Sequence, residues 1–178
     1  MTYRATGSMA DATDVSTLPV GWDGYAGYSN GAYANIPSIR ARFPGSPIKT
    51  ISVWGIGQLA LTSDIADCES GDYQPTDAAQ WAQLKINGNL GRPTIYSSTS
   101  VYPDLVAALA LLSLQFGRDV DWWEAHYDNT PSISTLPGAI GKQFQSSTFD
   151  SSIVCLDWLI PQSANRPDLI VPTLQGAP

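Results

Sequence analysis

The chain is poor in charge, and poorest in positive charge. Lys and Arg together number 9 against 16 Asp and Glu, and charged residues make up 14% of the 178 residues, where about 25% is usual. A net charge of −7 excludes a surface built to neutralise phosphate, so neither nucleic acid nor an anionic membrane is an expected partner. Long apolar runs are missing as well. The longest, residues 105–112, falls far short of the roughly 20 residues that cross a bilayer. No apolar stretch of the secretory kind follows the first residues, so no signal peptide is expected. Two Cys and one His make neither a disulfide framework nor a usual zinc set, and no metal or organic cofactor is implied.

What remains is ample for one globular domain. Apolar residues reach 43%, six of them Trp, and 15 Gly with 13 Pro punctuate the chain. Between these breaks the pattern alternates. Residues 9–13, 25–28, 48–54, 65–69 and 93–97 read as strands, several rich in β-branched side chains. Helical spacing appears over 36–43, over 76–87 with Thr76 as N-cap, and over 103–116, where Leu105, Leu109, Leu112 and Phe116 share a face ended by Gly117. After that the helices stop. Residues 121–127, 139–144 and 152–156 read as three further strands joined by turns, with no helix over 127–139. Strand–helix alternation implies right-handed βαβ units and a parallel sheet. The expected fold is therefore an α/β barrel over residues 1–160, followed by a Pro-containing tail, 161–178.

Asp67-Cys68-Glu69 is the most informative triplet. On a strand, residues i and i+2 share a face, so both carboxylates point one way, with Cα atoms roughly 6.6 Å apart, and Cys68 points the other. In a parallel barrel the C-terminal end of a strand borders the mouth where active sites form. Two neighbouring carboxylates resist joint ionisation, so one keeps its proton, which is the apparatus for glycosidic cleavage. The spacing is compatible with either stereochemical outcome. The bland alternative is a pair of acids that caps a loop, and Asp14, Asp72 and Asp77 read as turn or cap residues of that kind.

Further along stand Trp123-Glu124-Ala125-His126-Tyr127, then Gln143-Phe144, then Phe149-Asp150-Ser151-Ser152. With Asp11-Ala12-Thr13 and the acidic triplet, these resemble the glycoside hydrolase family 25 lysozymes and related domains of actinobacteria and their phages, over about residues 8–156. The resemblance implies a modified TIM-like barrel of about five βα units followed by three strands without helices. It implies hydrolysis of the β-1,4 bond between N-acetylmuramic acid and N-acetylglucosamine in bacterial cell-wall glycan. Glu69 would be the proton donor and Asp67 the base or orienting carboxylate, with Asp11 and Asp150 completing the acidic cluster. Tyr28, Trp54, Tyr96, Trp123, Tyr127 and Gln143 would bind substrate. It further implies a phage-encoded protein acting at the cell wall, or one associated with a virion.

The sequence departs from that pattern in two places: Ser152 stands where the family has Asn, and Phe144 where it has Tyr. The chain is also shorter than the usual barrel of about 200 residues or more. These departures favour a rival expectation, a non-catalytic structural or sugar-binding protein of a virion or cell wall. In that case the apolar tail residues Leu169, Ile170, Val171 and Leu174 would dock on a neighbouring subunit or a second copy. His126 and Glu124 read as structural, and Glu124 is expected outside the barrel mouth.

Overall fold

A computed structural model describes residues 5–160; the expected tail and its docking role lie outside them. Eight strands close into one barrel in sequence order, β1 (Thr6–Asp11), β2 (Gly24–Tyr28), β3 (Ile48–Ser52), β4 (Ile65–Asp67), β5 (Thr94–Ser98), β6 (Asp121–Ala125), β7 (Ala139–Ser146) and β8 (Asp150–Cys155). From β1 to β7 every neighbouring pair is parallel. β8 runs antiparallel to both β7 and β1. The reason is reach: only residues 147–149 separate β7 from β8, and a parallel return needs a crossover of about a dozen residues or more. The fold is thus a closed, mixed α/β barrel.

Four helices fill the crossovers from β2 to β6: α1 (Ile36–Arg42), α2 (Gln58–Thr62), α3 (Pro75–Asn87) and α4 (Tyr102–Leu111). A 3-10 turn at Val15–Thr17 lies between β1 and β2, and a short α5 (Leu156–Leu159) follows β8. Residues 126–138 contain no helix, as the loss of periodicity predicts. The apolar residues form separate layers. Trp81, Leu105, Leu109 and Trp122 pack between α3, α4 and the sheet, while Met9, Ile51, Ile65 and Trp123 fill the barrel. The adjacent Trp122 and Trp123 thereby serve opposite faces of β6, as strand alternation requires. A Cβ on Gly141, on the neighbouring strand, would lie 3.2 Å from the Trp123 ring and 2.8 Å from Val154, so only Gly lets this large ring sit inside.

Several boundaries differ from the sequence expectation, each for a local reason. β1 ends at Asp11 because Asp14 starts the 3-10 turn, its side chain accepting from Ser16 N at 2.8 Å. β3 ends at Ser52, which leaves Trp54 on a loop. β4 ends at Asp67, since the chain turns at once with Asp72 N donating to Glu69 O at 3.1 Å. Glu69 therefore stands beyond the strand, not on it. α2 is too short for periodicity to register. α3 begins at Pro75 with Gln74 as its cap, so Thr76 lies inside the helix.

α4 stops at Leu111, five residues before Phe116, because Ser113 turns left-handed at φ 59°. Ser113 N donates to Ala110 O at 3.0 Å and Leu114 N to Leu109 O at 2.9 Å, a Schellman closure. Leu112 is consequently 38% exposed and does not extend the buried face, while Phe116 returns to stack on Tyr102. α3 closes the same way through Asn89, at φ 51°.

Candidate active site

The parallel strands all end at one mouth of the barrel, and the register brings their inward-facing residues together there. Asp11, last of β1, pairs across the ladder with Asp150, first of the antiparallel β8. Like charges directly opposite on neighbouring strands repel. Asp67 pairs with Tyr96, and Tyr96 with Trp123. A pocket of about 70 Å³ results, walled by Asp11, Asp67, Glu69 and Asp150 together with Tyr28, Tyr96, Trp123, Tyr127 and Gln143. Nine of the ten residues expected from the sequence thus converge. The tenth, Trp54, lines an adjoining hollow of about 340 Å³ that shares Tyr28, Asp67 and Glu69 with the pocket.

The electrostatics are those of acids without counter-ions. Among the described residues, no Lys, Arg or His lines the pocket or the hollow. Asp11 is 3% exposed and Asp67 5%, and one carboxyl oxygen of each, Oδ1, has no hydrogen-bond partner among the described residues. Burial first, then the charges of Asp150, Asp67 and Glu69, push Asp11 well above the carboxylate range. Burial, then Glu69 and Asp72, push Asp67 up to about 8. Glu69 is raised by burial, Asp72 and Asp150, against a hydrogen bond from Tyr96 that favours its charged form. Asp150 is raised by burial, with Ser146 and Gln143 pulling the other way. Burial and crowding therefore favour the protonated forms throughout the cluster, Asp11 and Asp67 most, as expected of carboxyls crowded in low dielectric.

A chain of neutral donors supports Glu69. Gln143 Nε2 donates to the Tyr127 hydroxyl at 3.2 Å, and that hydroxyl lies 3.0 Å from the Tyr96 hydroxyl. Burial and the surrounding acids hold the Tyr28, Tyr96 and Tyr127 phenols above their ordinary value, so they stay neutral donors. Trp123 forms the floor, its Nε1 donating to Ser152 Oγ at 3.2 Å. Ser152, where the resembled family has Asn, is thus committed to holding that indole.

Other candidates fall outside the site. Glu124 is buried on the outer side of β6, accepting from Thr99 Oγ1 at 3.0 Å with His126 Nδ1 at 3.6 Å. Cys68 points into the helix layer, and burial together with the neighbouring acids pushes its thiol up to about 12. Three residues escape sequence reasoning. Asp72, read as a turn acid, borders the hollow and raises both Asp67 and Glu69. Asn30 and Tyr33, in the Gly-rich link after β2, also line the hollow. Only the Ser-Asn-Gly composition of that link marked it, and such a link reads as an ordinary turn.

No family model and no curated protein matches the chain. Among solved structures it is similar to "1.07 A crystal structure of an uncharacterized B. stearothermophilus protein", with TM-score 0.56 and 13% identity. The match covers 86% of this chain and 99% of that one. The likeness is one of fold. It supports the closed α/β barrel and bears on no activity.

Proposed function

We propose that this protein is a glycoside hydrolase of the muramidase type, cleaving β-1,4 bonds in bacterial cell-wall glycan from a modified TIM-like barrel. The observation that carries the reading is four carboxyls, Asp11, Asp67, Glu69 and Asp150, crowded without a cation into one aromatic-walled pocket. Such a cluster stores a proton next to a carboxylate, and glycosidic cleavage needs both. It also presents negative charge where an oxocarbenium-like transition state develops positive charge.

In this mechanism Asp67 and Glu69 hold one proton between them at neutral pH. Glu69 borders the open hollow and delivers that proton to the leaving glycosidic oxygen, while substrate in the hollow excludes water and keeps the carboxyl neutral until transfer. Tyr96, linked to Tyr127 and Gln143, then stabilises the carboxylate left on Glu69. Asp67 orients the acetamido group or, its proton passed to Glu69, activates water, while Asp150 stabilises developing positive charge and the protonated Asp11 polarises the active centre through a hydrogen bond. Tyr28, Trp54 and Trp123 contact the sugars. The site of action is the cell wall, with a phage as the source that the resemblance favours.

One observation favours a second reading, a non-catalytic sugar-binding or structural protein of a virion or wall. The acid pocket, at about 70 Å³, has no room for a whole sugar ring. The deciding experiment incubates the full chain with purified actinobacterial peptidoglycan and measures reducing ends. New reducing ends at the muramic acid support the hydrolase. Folded protein that sediments with the wall and releases none supports the scaffold.

A further inference from the structure

We propose that the end of the barrel opposite the acid site holds a separate binding site for a small zwitterion of the free dipeptide class, with Lys49 receiving its carboxylate and Asp157 its ammonium. The inference is independent of the glycan reading above. A cavity of about 560 Å³ opens at this end, within the roughly 300–1,000 Å³ usual for small-molecule sites. It shares no lining residue with the acid pocket or the hollow.

Strand alternation builds the cavity. Lys49, Thr94 and Asp121 stand two residues before Ile51, Tyr96 and Trp123, which pack inside the barrel. They therefore face inward too, at the ends where these strands begin. Trp158 of α5 closes over them, its Nε1 donating to Thr94 Oγ1 at 3.0 Å and its ring lying 4.7 Å from Lys49 Nζ. Leu90 and Ile140 add apolar wall.

The state of each charge identifies the ligand. Three cations, Lys49, Lys85 and Arg92, and three acids, Asp64, Asp121 and Asp157, line the cavity. Four of the six are engaged by their neighbours. Arg92 pairs with Asp121 at 2.9 Å, Lys85 donates to Leu61 O and Ser63 O, and Asp64 accepts from Thr50 N and Oγ1. Lys49 and Asp157 remain. The Trp158 ring and the fields of Asp64 and Asp121 meet the Lys49 charge, yet among the described residues its N–H donors have no acceptor. Burial lowers its ammonium from the ordinary value against the pull of those two acids, which is the cost of losing water with no acceptor in its place. Asp157, exposed in the first turn of α5, has no donor among the described residues either. One unspent cation and one unspent anion beside a Trp ring match a molecule with a carboxylate, an ammonium and an apolar side chain. A purely anionic ligand would face three carboxylates, and a purely cationic one three bases.

The probe is alanyl-leucine, titrated into the full chain, residues 161–178 included, with the Trp indoles labelled for NMR. It is expected to move the Trp158 indole N–H signal and to leave that of Trp54, beside the acid site, in place. Blocking either charge of the probe, as N-acetyl-alanyl-leucine or as alanyl-leucine amide, should weaken binding at least about tenfold. Lys49→Met should weaken alanyl-leucine about tenfold and bring it level with its amide. Asp157→Asn, at an exposed position where folding is not at stake, should bring it level with the acetylated form. An unmoved Trp158 signal at about 10 mM probe, or an affinity unchanged by Asp157→Asn, would overturn the site. Blocked peptides that bind as tightly as the free one would overturn it too, and tight binding of the acetylated form alone would mark a simple anion site instead. Whether the wild-type protein cleaves glycan leaves each of these outcomes unchanged, so the hydrolase reading and this site fail separately.

Discussion

The two ends of the barrel treat charge in opposite ways. At the end where the parallel strands begin, cations and anions are partnered. Arg92 Nε lies 2.9 Å from Asp121, while Arg92 Nη1 and Nη2 donate to Arg118 O and Gly117 O. Lys85, 3% exposed, donates to Leu61 O at 3.1 Å and Ser63 O at 2.6 Å. Asp64 accepts twice from Thr50, and Lys49 rests over the Trp158 ring at 4.7 Å. At the other end, five acids meet with no cation among the described residues lining the cavities they share, and two buried carboxyl oxygens lack a partner among those residues. A fold that satisfies its buried charges at one end can do so at the other. On the proposed function, the unpaired end is kept for chemistry, at the expense of stability.

The contrast breaks most visibly in activity. Glu69→Gln keeps the shape of the side chain and removes its transferable proton, so glycan cleavage should fall about a thousandfold or more with folding intact. His126→Ala, on the outer side of β6, should change the rate less than about threefold, because that imidazole takes no part in the proton transfer. Reducing-end assays on both variants check the pair, and equal losses would sink the role given to Glu69.

The next effect belongs to the paired end. Lys85→Ala leaves two inward carbonyls without a donor and should lower stability by about 2–3 kcal/mol in urea unfolding. Residual cleavage by the folded fraction should match wild type. A loss below about 0.5 kcal/mol would show that this end is not held by its charges.

The unpaired end should respond with the opposite sign. The folded-state value of Asp67, about 8, lies above its ordinary 3.8. Its contribution to stability is therefore complete below about pH 4, and is lost as pH rises through its folded value. Asp67→Asn removes that loss. The variant should match wild type near pH 4 and exceed it by at least about 1 kcal/mol at pH 8, while losing activity. Thermal unfolding across that range checks the sign, and a variant less stable than wild type at pH 8 contradicts it.

The smallest effect sharpens the comparison by finding strain that serves no chemistry. Asn89 and Ser113 end α3 and α4 in left-handed backbone, where Gly is at ease. Ser113→Gly should stabilise the protein by about 0.5 kcal/mol and leave cleavage unchanged.

How far the sequence foretold each end follows from the kind of signal each uses. Strands such as Ile48–Ser52 and helices such as Pro75–Asn87 announce themselves through composition and period. The acids were legible because Asp67 and Glu69 stand two apart, and because the resemblance linked them to Asp11 and Asp150. The reason first given for that pair, a shared strand face, fails, since Glu69 reaches the pocket from a turn. The paired end left little trace. Arg92 meets Asp121, and Lys85 meets Leu61 and Ser63, only through barrel closure and helix packing, which no local pattern encodes. Asn30 and Tyr33 were hidden for a further reason: a pinned loop and a slack one have the same Asn-Gly composition until their hydrogen bonds are known.

The central claim is that the acids at the strand ends hold protons at neutral pH. The most direct measurement is a carboxyl-carbon NMR titration of the full chain labelled at Asp and Glu, with signals assigned by Asp11→Asn, Asp67→Asn, Glu69→Gln and Asp150→Asn. The account predicts that Asp67 titrates near pH 8 and that Asp11 and Glu69 both titrate above their ordinary ranges. Four carboxyls titrating at or below the ordinary range of about 3.9 to 4.3 would contradict it.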